Sequence, residues 1–113
     1  MKILIVEDNY SMRNFLKQIL TGWGHSTLEA ENGVEGVKSF IKNNPDVVLL
    51  DIQMEGMDGI EAAEIIRKQS SQTKIIIVTN YNDKPLREKA KLAGADDYFL
   101  KENLLGLKEI LIK

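Results

Sequence analysis

The sequence predicts an α/β fold: a doubly wound, five-stranded parallel sheet in the order 2-1-3-4-5 with five helices. Two observations predict it. Short, continuous β-branched and leucine runs recur along the chain, the pattern of strands buried on both faces of a parallel sheet. Between successive runs lies one stretch with helical spacing of its apolar residues. Crossovers of that kind are right-handed, which leaves only a few doubly wound arrangements. The flavodoxin-like order 2-1-3-4-5 is preferred because it sends the two weakest strands to the edges.

The first strand is read at Ile3–Val6. Met12, Phe15, Leu16, Ile19, Leu20 and Trp23 then fall at i, i+3, i+4, i+7, i+8 and i+11, which predicts the first helix and assigns Trp23 to the core. His25, just before the second strand, reads as a surface residue. Ser26–Ala30 is more polar and fits an edge strand. Val34, Val37, Phe40 and Ile41 predict the second helix, stopped by Asn43, Asn44 and Pro45. The third strand is Val47–Leu50. Asp58 reads as the cap of a third helix, with Glu61 at capping-box spacing and Ile60, Ala63, Ile65 and Ile66 as its apolar face. The fourth strand is Ile75–Val78, closed by Thr79. Leu86, Ala90 and Ala93 give a short fourth helix ending at Gly94, and Tyr98–Leu100 gives the last strand. Leu104, Leu107, Ile110 and Leu111 predict a fifth helix, weakened by about 1 kcal/mol at Gly106.

A single domain over residues 1–113 is expected from the length, and 43% hydrophobic with 28% charged residues is the mixture of a packed globular chain. Fifteen basic residues against seventeen acidic ones give a net charge of −2, too little field to hold the chain on nucleic acid or an anionic membrane. Neither direct nucleic-acid binding nor membrane association is expected. The absence of cysteine excludes disulfides, thiolate metal sites and cysteine nucleophiles. The longest apolar runs have four residues, against about 18 for a membrane span. Lys2 and a short apolar run lead straight into Glu7 and Asp8, unlike a signal peptide, so a cytoplasmic location is expected.

In such a sheet, ligands bind beyond the carboxyl ends of the strands, at the switch point between the first and third. Glu7 and Asp8 end the first strand, Asp51 the third, Thr79 the fourth and Lys101 the fifth. Three converging carboxylates repel unless a cation offsets them, and Mg²⁺ accepts a few carboxylates while keeping positions open for phosphate oxygens. Lys101 and the Thr79 hydroxyl are the right groups to hold the other oxygens of a phosphoryl group. Asp51 can then act as nucleophile and become an aspartyl phosphate.

With these residues in place, the chain resembles the receiver domain of two-component response regulators over its whole length. The matching stretches are Ile5-Val6-Glu7-Asp8-Asn9, Leu49-Leu50-Asp51-Ile52-Gln53-Met54 with Met57-Asp58-Gly59, Val78-Thr79, Ala93-Gly94-Ala95-Asp96 and Tyr98-Phe99-Leu100-Lys101. The resemblance implies that Asp51 is the phosphoryl acceptor, with Thr79 and Lys101 as the phosphate-binding hydroxyl and ammonium. It implies Asp8 as a direct Mg²⁺ ligand, Glu7 as a partner through water, and the backbone carbonyl of Gln53 completing the metal site with Asp51. Thr79 and Tyr98 would form the switch, and the side chains of Gln53 and Tyr81 would tune loss of the phosphoryl group. The implied partners are a histidine kinase or phosphotransfer protein, and a second copy docking through the face of helix 4, strand 5 and helix 5. Three positions depart from the family pattern. Glu55 stands where Pro is frequent, Asn80 stands where a small residue is usual, and Glu102 follows Lys101 where a cis Pro is frequent. A trans Lys101–Glu102 bond is expected, because a cis bond before a non-proline costs about 2.5–4 kcal/mol.

Other functions fit less well. A phosphohydrolase with an aspartate nucleophile needs a general acid two residues further on, where this chain has Gln53. Nucleotide-binding folds carry a glycine-rich fingerprint after a strand, and none stands here. A docking module that no longer reacts would not need the set Asp8, Asp51, Thr79 and Lys101. Asp58 reads better as a cap than as a ligand, and for Tyr98 edge packing and a switch role are equally good readings.

Overall fold

The computed structural model describes residues 1–111; residues 112 and 113, the end of the expected 1–113 domain, lie outside them. Strands β1 (Lys2–Val6), β2 (Ser26–Ala30), β3 (Val47–Leu50), β4 (Lys74–Thr79) and β5 (Asp97–Leu100) alternate with helices α1 (Tyr10–Gly22), α2 (Gly33–Asn43), α3 (Gly59–Gln69) and α4 (Lys84–Leu92). A 3-10 turn at Lys101–Gly106 then leads into α5 (Leu107–Leu111). The sheet is parallel in the order β2-β1-β3-β4-β5, as the sequence predicts.

Every strand residue from Ile3 to Val6, Val47 to Leu50 and Ile75 to Thr79 is buried, and alternate side chains feed two cores. Leu4, Val6, Val48, Leu50, Ile75 and Ile77 pack under Phe40 of α2, Ala62, Ala63 and Ile66 of α3, and Ala90 of α4. Ile3, Ile5, Val47, Leu49, Ile76 and Val78 pack under Leu16 and Leu20 of α1 and Leu107 and Leu111 of α5. This period-two division covers both faces of the three central strands, while the edge strands β2 and β5 stay partly exposed.

Four helices start on a side-chain cap. Asn9, Asn32, Asp58 and Asp83 each accept a hydrogen bond from the backbone N–H three residues on, at 2.9, 2.8, 2.9 and 3.4 Å. Asp58 is thus the cap the sequence indicates. Helix α2 stops where expected, with Asn44 in the left-handed region at φ 48° and Pro45 behind it. Beyond α3, the Arg67 guanidinium reaches four acceptors: the carbonyls of Ser70, Thr73 and Gly94, and Asp96 Oδ2. It ties the end of α3 to the turn that follows α4.

Several sequence readings are corrected. Phe15 is 50% exposed, and Trp23 is only half-buried against the α1 core. In α2, Val34 and Ile41 point outward, because Gly33, Gly36 and Phe40 take the buried face. Gly36 lies so close to Val6 that a Cβ there would collide with its methyls, and hydropathy patterning gives glycine no weight. His25 stays at the surface as expected, half-exposed with Nδ1 3.2 Å from the N-terminal amine. The fifth helix does not run continuously from Leu104. Asn103 leaves helical geometry (φ −117°, ψ 32°), and Gly106 packs on the Phe99 ring before α5 begins. The described residues contain no cis peptide, so Lys101–Glu102 is trans as expected.

Candidate functional site

The open strand ends converge on a cavity of about 320 Å³ lined by residues of four loops, among them Glu7, Asp8, Asp51, Gln53, Asn80, Tyr81 and Lys101. Parallel pairing aligns these loops. Val6 of β1 sits opposite Leu50 of β3, so Glu7 and Asp51 leave the sheet side by side, and the Asp51 N–H donates to the Val6 carbonyl at 3.1 Å. One carboxylate oxygen from each of Glu7, Asp8 and Asp51 lies within 4.8 Å of the other two. Glu7 and Asp51 are buried, and Asp8 is exposed at the rim.

Lys101 reaches into this group from the end of β5. Its Nζ lies 2.7 Å from Glu7 Oε1 and 3.5 Å from Asp51 Oδ2. The second Glu7 oxygen accepts from the Asn9 N–H at 3.1 Å. These contacts divide the carboxylates electrostatically. Burial works against the charge on Glu7, but Lys101 and the Asn9 amide prevail and hold its carboxyl below the ordinary value. Burial, followed by the Glu7 charge, pushes Asp51 up to about 7 against the opposing pull of Lys101. Asp8 is raised by burial and by its hydrogen bond and repulsion with Glu7. Burial tends to strip the proton from Lys101, yet its acidic partners raise its pKa and keep it charged.

One ammonium pairs with two of three clustered carboxylates, and Asp8 and Asp51 are held above their ordinary range by burial and by the Glu7 charge. All the donors are hard oxygens on one side of an open cavity. The residues present fit a divalent cation such as Mg²⁺.

Thr79 is fully buried at the end of β4, and its Oγ1 accepts from the Tyr81 N–H at 3.2 Å. It sits beneath the β4–α4 loop and is not among the lining residues of the cavity. Tyr98 is half-buried on β5, and its hydroxyl donates to the Tyr81 carbonyl at 2.6 Å. The Arg87 guanidinium stacks on the Tyr98 ring, 4.4 Å from its centroid, and also donates to Asn82 Oδ1. Across the mouth of the cavity, the Tyr81 hydroxyl donates to Gln53 Oε1 at 3.0 Å. Asn80 lines the cavity beside them. All eight residues singled out from the sequence therefore belong to one neighbourhood, six on the cavity and Thr79 and Tyr98 immediately behind it.

Sequence reasoning missed two basic residues. Arg87 is one. The other is Arg13, buried on α1 and donating to the Glu7 carbonyl at 2.8 Å. A signal for Arg13 was present: it lies three and seven residues before Leu16 and Leu20, on the apolar face of its helix.

Comparison with known proteins bears on this arrangement. The profile of the response regulator receiver domain matches residues 3–111. Sporulation initiation phosphotransferase F of Bacillus subtilis is 36% identical over 100 residues, covering 88% of this chain and 81% of that protein. The chemotaxis protein CheY of Halobacterium salinarum is 40% identical over 100 residues, covering 88% of this chain and 83% of its own length. Among solved structures, the response regulator TrrA of Thermotoga maritima, in complex with Mg²⁺-BeF, superposes with a TM-score of 0.89 at 40% identity, covering 98% of this chain and 96% of that one.

Proposed function

This chain belongs to the response regulator receiver domain family, and from that premise we propose that Asp51 accepts a phosphoryl group with the help of Mg²⁺. Receivers of this family are signalling switches. The observation that carries the proposal is Asp51 itself: a carboxyl raised to about 7 at the end of the central strand, 3.5 Å from the Lys101 ammonium and grouped with Glu7 and Asp8. The Mg²⁺-BeF complex of TrrA supports the reading.

Glu7, Asp8, Asp51 and the backbone carbonyl of Gln53 would hold the cation, Asp8 as a direct ligand and Glu7 through water. When bound, Mg²⁺ offsets the charge of the carboxylates and of the incoming phosphoryl oxygens. The ionised Asp51 oxygen attacks the phosphorus of a phosphohistidine on a kinase or phosphotransfer protein. The P–N bond breaks, its electron pair stays on the imidazole, and an acyl phosphate forms on Asp51. Lys101 balances the developing charge. Water later attacks the phosphorus, releasing inorganic phosphate and restoring the carboxylate. The hydrogen-bonded Gln53–Tyr81 pair lines the cavity that holds Asp51, which supports a tuning role for both side chains.

The output runs through Thr79 and Tyr98. A phosphoryl group adds about −1.5 to −2 charge and three acceptor oxygens. The Thr79 hydroxyl turns away from the Tyr81 amide to donate to a phosphate oxygen, and the loop anchored by Tyr98 repacks. The face formed by α4, β5 and α5 changes with it, and a second protomer or downstream partner binds that face.

The test is incubation with a small acyl phosphate and Mg²⁺, read by intact mass. One added phosphoryl group is expected, abolished by Asp51→Asn and by chelation. Equal labelling of Asp51→Asn refutes the assignment. Amide NMR with a phosphoryl mimic tests the output, and shifts confined to the Asp51 loop, with residues 80–105 unmoved, refute it.

A further inference from the structure

Arg13 is an expensive residue for its place. It is 8% exposed on the face of α1 that otherwise buries Leu16 and Leu20, where an aliphatic side chain would pack without desolvating a charge. Its ion pair does not account for it. Nε meets Glu29 Oε1 at 3.3 Å through a single contact, and the other Glu29 oxygen faces Lys17 at 3.5 Å. The shorter contact goes elsewhere: Nη1 donates to the backbone carbonyl of Glu7 at 2.8 Å.

That carbonyl belongs to the first peptide beyond β1. Glu7 is the last residue tied to the sheet, its N–H donating to the Ala30 carbonyl at 3.1 Å. The next peptide, between Glu7 and Asp8, has left the ladder, so no neighbouring strand fixes its plane. Arg13 supplies the missing constraint. The plane of this peptide sets where the chain carries Asp8, and with it the spacing between the Asp8 and Glu7 carboxylates. Glu29, on β2, meets only the Nε edge of the guanidinium and leaves Nη1 free to grip the loop. A planar, rigid guanidinium suits this task better than an ammonium.

We propose that Arg13 is a positioning residue for the divalent-cation site, acting through the Glu7 carbonyl to fix the Glu7–Asp8 peptide. The inference rests on the assignment of Glu7, Asp8 and Asp51 as the cation site, and it concerns assembly of that site, not the transfer step. Removing partners that orient metal ligands typically weakens metal binding by about 10–100-fold. The backbone can recover part of the geometry once the ion is bound, so the lower end, about tenfold, is expected here.

The experiment is a Mg²⁺ titration of the unphosphorylated chain followed by amide NMR, with folding stability measured in parallel by urea denaturation without Mg²⁺. Arg13→Met keeps the bulk and removes the donors. Glu29→Gln removes the acidic partner and leaves the bond to Glu7. Wild type is expected to saturate, Arg13→Met to bind about tenfold more weakly, and Glu29→Gln to stay within twofold of wild type. At saturating Mg²⁺, Arg13→Met is labelled by acyl phosphate at close to the wild-type rate. Should Arg13→Met not fold, Arg13→Gln, too short to reach the Glu7 carbonyl, carries the same expectation. An Arg13 variant that binds Mg²⁺ as wild type does overturns the inference and leaves the cation site standing. So does a Glu29→Gln loss as large as that of Arg13→Met, which would mark the ion pair as a staple of the fold. Failure of wild type to bind Mg²⁺ overturns the site assignment and this inference together.

Discussion

The Tyr98 hydroxyl donates to the backbone carbonyl of Tyr81 across 2.6 Å, and the Tyr81 N–H is given in turn to Thr79 Oγ1 at 3.2 Å. One peptide segment of the β4–α4 loop is thus gripped at its carbonyl by β5 and at its amide by β4. Removing the phenol oxygen tests that grip. Tyr98→Phe keeps the ring under Arg87 and loses one hydrogen bond, worth about 1 kcal/mol. Amide hydrogen exchange at Tyr81 is expected to quicken about fivefold, and an unchanged rate would show that the hydroxyl does not restrain the loop.

Asp51 weakens the metal-free fold at neutral pH. Its carboxyl is pushed from 3.8 up to about 7, so the native state keeps a proton that the unfolded chain has already released over that window. Stability therefore falls as pH rises from about 4 to about 7. Asp51→Asn is expected to stabilise the chelated protein by roughly 2–4 kcal/mol at pH 8 and by little at pH 4. Urea denaturation at the two pH values measures it, and added Mg²⁺ should shrink the difference at pH 8.

Lys101→Met should have the opposite effect. Glu7 is 2% exposed and depends on Lys101 for its counter-charge, so removing the ammonium strands a buried carboxylate. A loss of about 3 kcal/mol is expected at pH 8 without Mg²⁺. Because Lys101 and the Asn9 amide hold Glu7 below its ordinary value despite burial, their contribution is present above the unfolded pKa and disappears as pH falls through the folded one. The gap between variant and wild type should close in acid, as seen by melts at pH 8 and pH 3.

Gly59→Ala probes the β3–α3 connection. The Gly59 N–H donates to the Ile52 carbonyl at 3.0 Å, and a Cβ at this position would overlap the Asp51 carbonyl oxygen. Backbone must move to admit it, at about 1–3 kcal/mol. A lower melting temperature with slower labelling of Asp51 is expected. Normal labelling would show that the loop yields without disturbing the nucleophile.

The strands, their order and the residues at their ends were legible because a parallel sheet writes itself as short buried runs, and Asp51 or Lys101 at the end of such a run is conspicuous. Faces that depend on small residues were not. Gly33 and Gly36 carry no hydropathy signal, yet close approach at these positions turned α2 so that Val34 and Ile41 face outward. The kink at Asn103 and the packing of Gly106 on Phe99 are backbone and tertiary features that helical spacing does not encode. In the site, residue types pointed to the chemistry, but pairing is a matter of rotamers. Nothing in the order of residues says that Lys101 lies nearer Glu7 than Asp51, or that Tyr81 and Gln53 join across the mouth.

The Arg67 clamp makes α4 a lever. Arg67 grips the Gly94 carbonyl with two nitrogens and Asp96 with one, while Asp96 also accepts the Ile75 N–H at 2.9 Å. The fulcrum therefore sits just past the C-terminal end of the helix, fixed to α3 and β4 alike. Lys84–Leu92 is nine residues, about 13 Å of arm, so a tilt of about 10° sweeps the end near Asp83 through about 2 Å and barely displaces Ala93. A tilt about this point would carry the N-terminal end of α4 furthest and the C-terminal end least.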